Sequence, residues 1–501
     1  MENTLPMIHA KHELSMRDIL KDQTQLTLSL NGWTDNSGNS IYVVMVLKGA
    51  KQKYFLDVLD LNSKRHTADN IFSALKESLK SKQVGLHQIC ALVTDSPSVM
   101  IKLRRLVNEA NPHILKIHCT LHVFNLIAKQ TASHPSMDRV VKSNKTLVNY
   151  FTTSVFWREH LATWQKANEV KHGLQTLCET RWYSMAKVCL GIQSHELGFR
   201  KCLELLQDPL VDTPTMSNSV IEIIENRDHF TANQTLVSLL TPVVDAIGSL
   251  ERADTTLSDI WKELLIAYKA IRDTDVYSRF EPFKRHCLDT LESQTKIYHD
   301  DIYVVAFFLH PSYRRITVSK KHSLPEEVNQ PLDYWLMVPN TPESNALKKV
   351  AIGILEIVPH AAGVEGLFST MSAIKTKARN RMSPKTLKML AQLKLHLLEG
   401  DRLLAPRRQR RQKNATPDSE YENMRIYDAF LTPTELEEFE TGVFTEEQMQ
   451  VVASRENAFM DTLFDFNMWE NPPQPPDDVI NLDDIQDNPA DMNWDPEDLW
   501  V

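Results

Sequence analysis

The hydrophobic period of this chain is mixed over its first 130 residues and almost wholly helical afterwards. Residues 26–30 (LTLSL), 41–49 (IYVVMVLKG) and 53–61 (KYFLDVLDL) are short, rich in β-branched and aromatic side chains, and parted by polar turns such as TDNSGNS. That pattern predicts three consecutive strands in an antiparallel meander. From about 131 to 350 strand signals nearly vanish, and segments such as SVFWREHLATWQKAN, LVSLLTPVVDAIGSLE and IWKELLIAYKAIRD carry apolar residues at helical spacing between polar or Pro-containing breaks. A chain patterned this way is α+β, with a sheet laid down early and a large all-helical unit after it.

Between the two regimes, TADNIFSALKESLKS (67–81) opens with a Thr-Ala-Asp cap and spaces Ile71, Phe72, Leu75 and Leu79 as a helix does. ICALVTDS (89–96) then reads as a buried strand. A crossover helix leading into a parallel strand is the expected connection. Further helices are predicted at about 97–109, 119–130, 344–358 and 384–399. The domain reading is a helical lead-in over 1–25, a first part of the core over 26–130, a helical insertion over 131–340, the end of the core over 341–405, and a linker and tail over 406–501.

Charge divides the chain again. The overall −9 over 501 residues conceals a segment, 414–501, with 23 acidic and two basic residues, against 54 basic and 42 acidic in the remainder. The body is therefore +12 and the tail −21, an asymmetry that suggests a polyanion such as DNA for the body. The tail's Asp, Glu, Asn and Pro content predicts a largely disordered segment, with short helical stretches near 433–465. Its acidic residues alternate with aromatic and aliphatic ones in FMDTLFDFNMWE and DMNWDPEDLW, which resembles activation-domain composition that keeps apolar side chains accessible to a nuclear partner, although a merely solvating tail is the plainer reading.

Other classes fall away. The six cysteines (90, 119, 178, 189, 202, 287) form no C-x-x-C pair, which fits a reducing compartment. No apolar run reaches the ~18–20 residues of a membrane span, so no membrane association is expected. Thirteen glycines with neither G-x-G-x-x-G nor a P-loop argue against nucleotide-driven chemistry.

Acidic candidates sit where predicted strands and apolar helices place them. Asp95 ends LVTD, where α/β sheets present functional side chains, although D-S-P-S is equally a helix cap. Glu365 lies in the apolar VEGLFS, a setting in which carboxylates are paired or coordinating. Cys119 and His122 have C-x-x-H spacing without a second pair in register; the expectation is packing on one helix face and no zinc site. Arg181 and Trp182 in ETRWYSM suit either base stacking with phosphate contact or ordinary helix packing. Two basic clusters are candidates for DNA backbone, although solvated faces usually explain such charges: Lys102, Arg104 and Arg105 after Asp95, and Lys375, Lys377, Arg379 and Arg381 after Glu365; a third, PRRQRRQK at 406–413, fits a nuclear localisation signal and a domain boundary equally well.

Taken in order, LSLNGWTDNSGNSIYVVMVL, LVTDSPSVM, HCTLHVFNLIAKQ, ETRWYSM, FFLHPSYRR and VPHAAGVEGLFSTMSAIKTKARNRMSPKTLKMLAQLKL resemble the hAT superfamily of cut-and-paste DNA transposases from about residue 26 to 400. The resemblance implies an RNase H-like mixed sheet interrupted by a helical insertion, a helical C-terminal dimerisation region, a homo-oligomer of two or more copies, DNA as partner and a nuclear location. It also implies an Asp-Asp-Glu triad holding two Mg²⁺ or Mn²⁺ ions. The second Asp falls on Asp95 and the Glu on Glu365, which makes both metal ligands, but the first falls on Asn31. Gly366 stands where the family has Arg, and the family's N-terminal zinc-binding module has no counterpart here. The expected function is thus a transposase-derived, DNA-binding, dimerising protein with impaired catalysis. An active transposase and a nuclear regulatory protein acting through the tail are the alternatives.

Overall fold

The computed structural model describes residues 4–404, except 35–39, 50–51, 60, 62–64, 177–182, 253, 299, 311–330 and 377–381. The acidic tail with its expected helices near 433–465 and the basic run 406–413 lie outside the described residues.

The meander forms as the alternating pattern demands. β1 (Leu26–Thr34) pairs antiparallel with β2 (Ser40–Lys48), setting Leu30 opposite Val44, and β2 pairs antiparallel with β3 (Gln52–Leu59). α2 (Ala68–Ser81) follows, its first turn capped by Thr67, whose Oγ1 accepts the Asn70 N–H at 3.3 Å. β4 (Ile89–Thr94) then enters parallel to β1, with Val93 opposite Ser29. α3 (Ser98–Ala110) returns the chain to β5 (Leu115–His118), parallel to β4. The sheet order is β3-β2-β1-β4-β5, a mixed sheet in an α+β fold, as the period predicts. β5 has no such signal, because LKIH is four residues long and runs directly into a helical pattern.

One face of the sheet is sealed by the early helices. Leu26, Leu28 and Leu30 of β1 and Leu92 of β4 meet Ile71, Leu75 and Leu79 of α2 and Leu103 and Val107 of α3; α1 (Thr4–Leu20) adds Met16 and Leu20. Each such burial is worth about 1.5–3 kcal/mol, so this apolar layer fixes the register of β1 against a one-residue slip.

By compactness the described chain divides into two units. The second comprises His122–Leu250 and Glu263–Ile297; the sheet unit takes Met1–Leu121, Glu251–Lys262 and the chain from Tyr298 onward. The helices of the middle are α4 (Thr120–Ala132), α5 (Pro135–Thr153), α6 (Val155–Ala167), α7 (Tyr183–Ser194), α8 (Glu196–Gln207), α9 (Asn218–Glu225), α10 (Arg227–Leu250), α11 (Leu257–Asp273) and α12 (Glu281–Thr295). Within the second unit Phe151, Trp157 and Phe199 share a core. Asn144 is buried there and its Nδ2 donates to Asn233 Oδ1 at 2.7 Å, pairing two side-chain amides that burial would otherwise penalise.

The chain rejoins the sheet unit at 298 rather than near the expected 340. α13 (Asp301–Leu309) carries Tyr303, whose hydroxyl accepts the backbone N–H of His118 at 3.1 Å. α14 (Pro331–Met337) anchors on it, with Trp335 Nε1 donating to the Leu309 carbonyl at 2.8 Å. α15 (Pro342–Leu355), α16 (Ala362–Ile374) and α17 (Pro384–Leu404) complete the unit. Gln392 of α17 donates to the carbonyl of Phe55 on β3 at 2.7 Å, tying the last helix to the sheet edge.

Candidate functional site

Alternation along β1 turns Leu26, Leu28 and Leu30 toward the sealed face and Thr27, Ser29, Asn31 and Trp33 to the other. The latter face is covered by the C-terminal segment: the Val358 N–H donates to Thr27 Oγ1 at 3.3 Å. Ser29–Val93 is the last pairing between parallel β1 and β4; two residues on come Asn31, within β1, and Asp95, just past the carboxyl end of β4, the edge at which open α/β sheets carry their sites.

Asn31 already uses its carbonyl oxygen, which accepts the Gly32 N–H at 2.9 Å. Asp95 follows β4, and its backbone is clamped by Arg104. That side chain, only 2% exposed, donates through Nη1 to the carbonyls of Thr94 (3.1 Å) and Asp95 (2.6 Å) and to the Thr94 hydroxyl, and its Nη2 faces His118 Nδ1 at 3.0 Å. One guanidinium therefore ties the ends of β4 and β5 together. Tyr42, opposite Gly32 on β2, senses the same place: burial, then the negative charge of Asp95, pushes its phenol up to about 12. Its hydroxyl lies 3.5 Å from His66 Nδ1.

The position of Glu365 is the fourth residue of α16; its side chain lies outside the described residues. What brings α16 here is a set of backbone contacts made by the H-C-T-L-H segment. Thr120 donates through its N–H and its hydroxyl to the Pro359 carbonyl, both at 3.0 Å, and Cys119 Sγ accepts the Ala361 N–H at 3.4 Å. Trp33 and Phe368 then stack at 5.8 Å with 24° between their planes, joining the residue two past Asn31 to the residue three past Glu365. At Gly363 a Cβ would stand 3.4 Å from Met45 Cε, so the helix runs close over β2. Cys119 thus has a structural task, holding the segment that delivers Glu365.

The basic candidates part ways. Lys102 reaches Asp69 at 3.6 Å and Arg105 reaches Glu109 at 3.5 Å, both with solvent access. Arg104 and Lys375 are corrections: at 2% and 1% exposed, neither presents its charge to a DNA backbone. Arg104 is buried because it follows Met100 by four residues and precedes Val107 by three, which places it on the core stripe of α3. Lys375 stands four residues past the buried Met371, just beyond the last residue of α16. Arg181, Trp182, Lys377, Arg379 and Arg381 lie outside the described residues. Among the described residues no three His, Cys, Asp or Glu side chains gather as a metal-holding group, and no helix is long and apolar enough to cross a membrane.

Sequence reasoning missed Trp33, Phe368 and Tyr42. The signal was available for the first two: Trp33 has the same strand parity as Asn31, and Phe368 the same helical face as Glu365.

Residues 9–147, a span that includes all five strands, match the model of a domain of unknown function, DUF659, which is found in hAT-type transposase-like proteins. No curated protein matches the chain. Among solved structures, the Drosophila P element transposase strand transfer complex is 12% identical and covers 75% of this chain and 79% of that one, with a TM-score of 0.30, a likeness too slight to carry an argument.

Proposed function

We propose that this is a hAT transposase-derived protein that binds DNA as a dimer in the nucleus and has lost efficient strand transfer. The observation that carries the reading is Asn31. It stands on β1 two residues past the last pairing with β4, which Asp95 follows, and by resemblance it is the position a third carboxylate would fill; its side-chain carbonyl oxygen is engaged by the Gly32 N–H at 2.9 Å. Two dications ~3.5–4 Å apart require anionic oxygens that bridge them. Asp95 and Glu365 offer two carboxylates, whereas a neutral amide contributes no charge and no second equivalent oxygen. The donor set therefore does not suit a pair of Mg²⁺ or Mn²⁺ ions.

DNA binding rests on the +12 body and on the partly exposed cations Lys102 and Arg105 of α3, the helix that follows Asp95; Arg181, Trp182, Lys377, Arg379 and Arg381 extend the proposal by resemblance. The direct test incubates the purified protein with Mg²⁺ or Mn²⁺ and terminal-repeat DNA. Binding that weakens steeply with salt, without specific cleavage, is the expected result; efficient cleavage at the repeat ends would overturn the loss of catalysis, and no binding at low salt would overturn the DNA role.

A further inference from the structure

Three helices of the sheet unit leave apolar side chains in solvent on one small subassembly. α14 and α15 share a core of Trp335, Ala351 and Leu355 with Leu309 of α13. Their outward residues are Val305 and Phe308 of α13, Leu336 and Met337 of α14, and Leu347 and Val350 of α15, between 39% and 69% exposed. Lys348 binds α15 to the end of α14, its Nζ donating to the carbonyls of Leu336 (3.0 Å) and Val338 (2.7 Å). That contact puts Leu336 and Met337 next to Leu347. Singly exposed apolar residues need no explanation, but six on three helices that pack together mark an interaction surface.

The chain itself supplies a fitting occupant. Residues 459–470, FMDTLFDFNMWE, hold seven large apolar side chains in twelve positions, with Asp461, Asp465 and Glu470 between them. Phe459, Leu463 and Phe466 recur at helical spacing, with Met460 and Phe464 alongside, the pattern of a helix that lays an apolar face into a groove. The segment belongs to the −21 tail, while the body that carries the face is +12, so the long-range field draws the two together. From Leu404, where α17 ends, to Phe459 the linker has a root-mean-square span of roughly 40 Å, enough to cross a domain of this size. A tether of that length holds its end at an effective concentration on the order of millimolar, which favours the chain's own tail over a second copy on a modest apolar face.

We infer that the α13–α15 face is the docking site of the chain's own residues 459–470. The tail would then be a latch on the sheet unit whose apolar side chains become available to another protein only on release. This reading does not depend on DNA binding or on catalysis.

Hydrogen exchange of the full-length protein, followed by mass spectrometry, tests it. Peptides covering 332–355 and 456–470 should both exchange more slowly than their sequences do as free peptides. Leu347→Asp with Val350→Asp, at positions already in solvent, should release 456–470 at least tenfold, and Phe464→Asp with Trp469→Asp should release 332–355 without lowering the protection of β1 and β4. Free-peptide exchange of 456–470 in the unaltered chain would overturn the latch, as would protection that survives the α15 substitutions. Protection that disappears on dilution would overturn the intramolecular occupant in favour of a second copy.

Discussion

Two charged clusters in the sheet unit are built on opposite plans. At the β3 edge, Glu13 of α1 and Asp57 of β3 face Lys82 and Lys388: Lys388 bridges both carboxylates at 3.1 and 2.7 Å, Lys82 reaches Glu13, and Ser78 donates to Asp57 at 2.6 Å. Two anions meet two cations, and the cluster is closed. At the ends of β1 and β4, Asp95 stands beside an amide, and the nearest cation, Arg104, spends its donors on backbone carbonyls, a hydroxyl and an imidazole. The first cluster holds helices to a sheet. The second sets one carboxylate beside a neutral amide, which under the proposed function is one anion fewer than a metal-holding set requires.

The comparison breaks most visibly at Arg104. Arg104→Met keeps the bulk but leaves the Thr94 and Asp95 carbonyls without their donor, at a cost of about 3 kcal/mol, read as a fall in the thermal midpoint of the sheet unit. Arg104→Lys should recover little of it, since a single ammonium cannot span carbonyls on two sides. A mild Arg104→Met phenotype, coupled with a large loss of DNA affinity, would return Arg104 to the DNA surface and erase the distinction between the clusters.

Arg104 also shows what was legible in the sequence and what was not. The strands β1 to β4 and the crossover α2 announce themselves through periods of 2 and 3.6, because burial of one face imposes those periods directly. The same period places 100, 103, 104 and 107 on the buried stripe of α3, and only the charge of Arg104, between Lys102 and Arg105, argues for the surface. Burial of an arginine requires partners distant in sequence, here the ends of β4 and β5, and a linear pattern does not display them. The return to the sheet unit at 298 was hidden for the same reason, since it rests on Tyr303 meeting His118. Asn31 was legible as a departure from a family pattern, whereas its hydrogen bond to Gly32 was not.

A smaller effect, with a pH signature, comes from the closed cluster. Burial pushes the Glu13 carboxyl up, but the hydrogen bond from Lys82 and the charge of Lys388 outweigh it and hold the group down at about 2. A depressed carboxyl stabilises the fold above its ordinary value near 4.5, and that contribution is lost as pH falls toward 2. Glu13→Gln should cost about 2 kcal/mol at pH 7, less than a fully buried pair because the edge is partly wet. Urea midpoints of the two proteins should converge between pH 4.5 and 2, with the unaltered chain falling and the variant nearly flat. A pH-independent gap would mean that the cluster acts through packing rather than charge.

The smallest effect on stability sharpens the comparison most. Asn31→Asp restores the missing anion, and Asp57 shows that the local geometry accepts it: its Oδ1 takes the N–H of the next residue, Val58, at 2.9 Å, as Asn31 does with Gly32. Without divalent ions the substitution should lower stability by less than about 1 kcal/mol, the repulsion of two carboxylates at a partly solvated strand end. Millimolar Mg²⁺ or Mn²⁺ should then raise the thermal midpoint of Asn31→Asp, with roughly tenfold tighter binding than in the unaltered chain, the ~1.4 kcal/mol that one added charge readily supplies. Adding Asp95→Asn should abolish that gain, because the number of carboxylates then returns to that of the unaltered chain. If Mg²⁺ stabilises the unaltered chain as strongly as Asn31→Asp, the amide suffices as a ligand and the proposed loss of catalysis would have to rest on another position, with Gly366 the next to substitute: a Cβ there meets nothing within 4 Å.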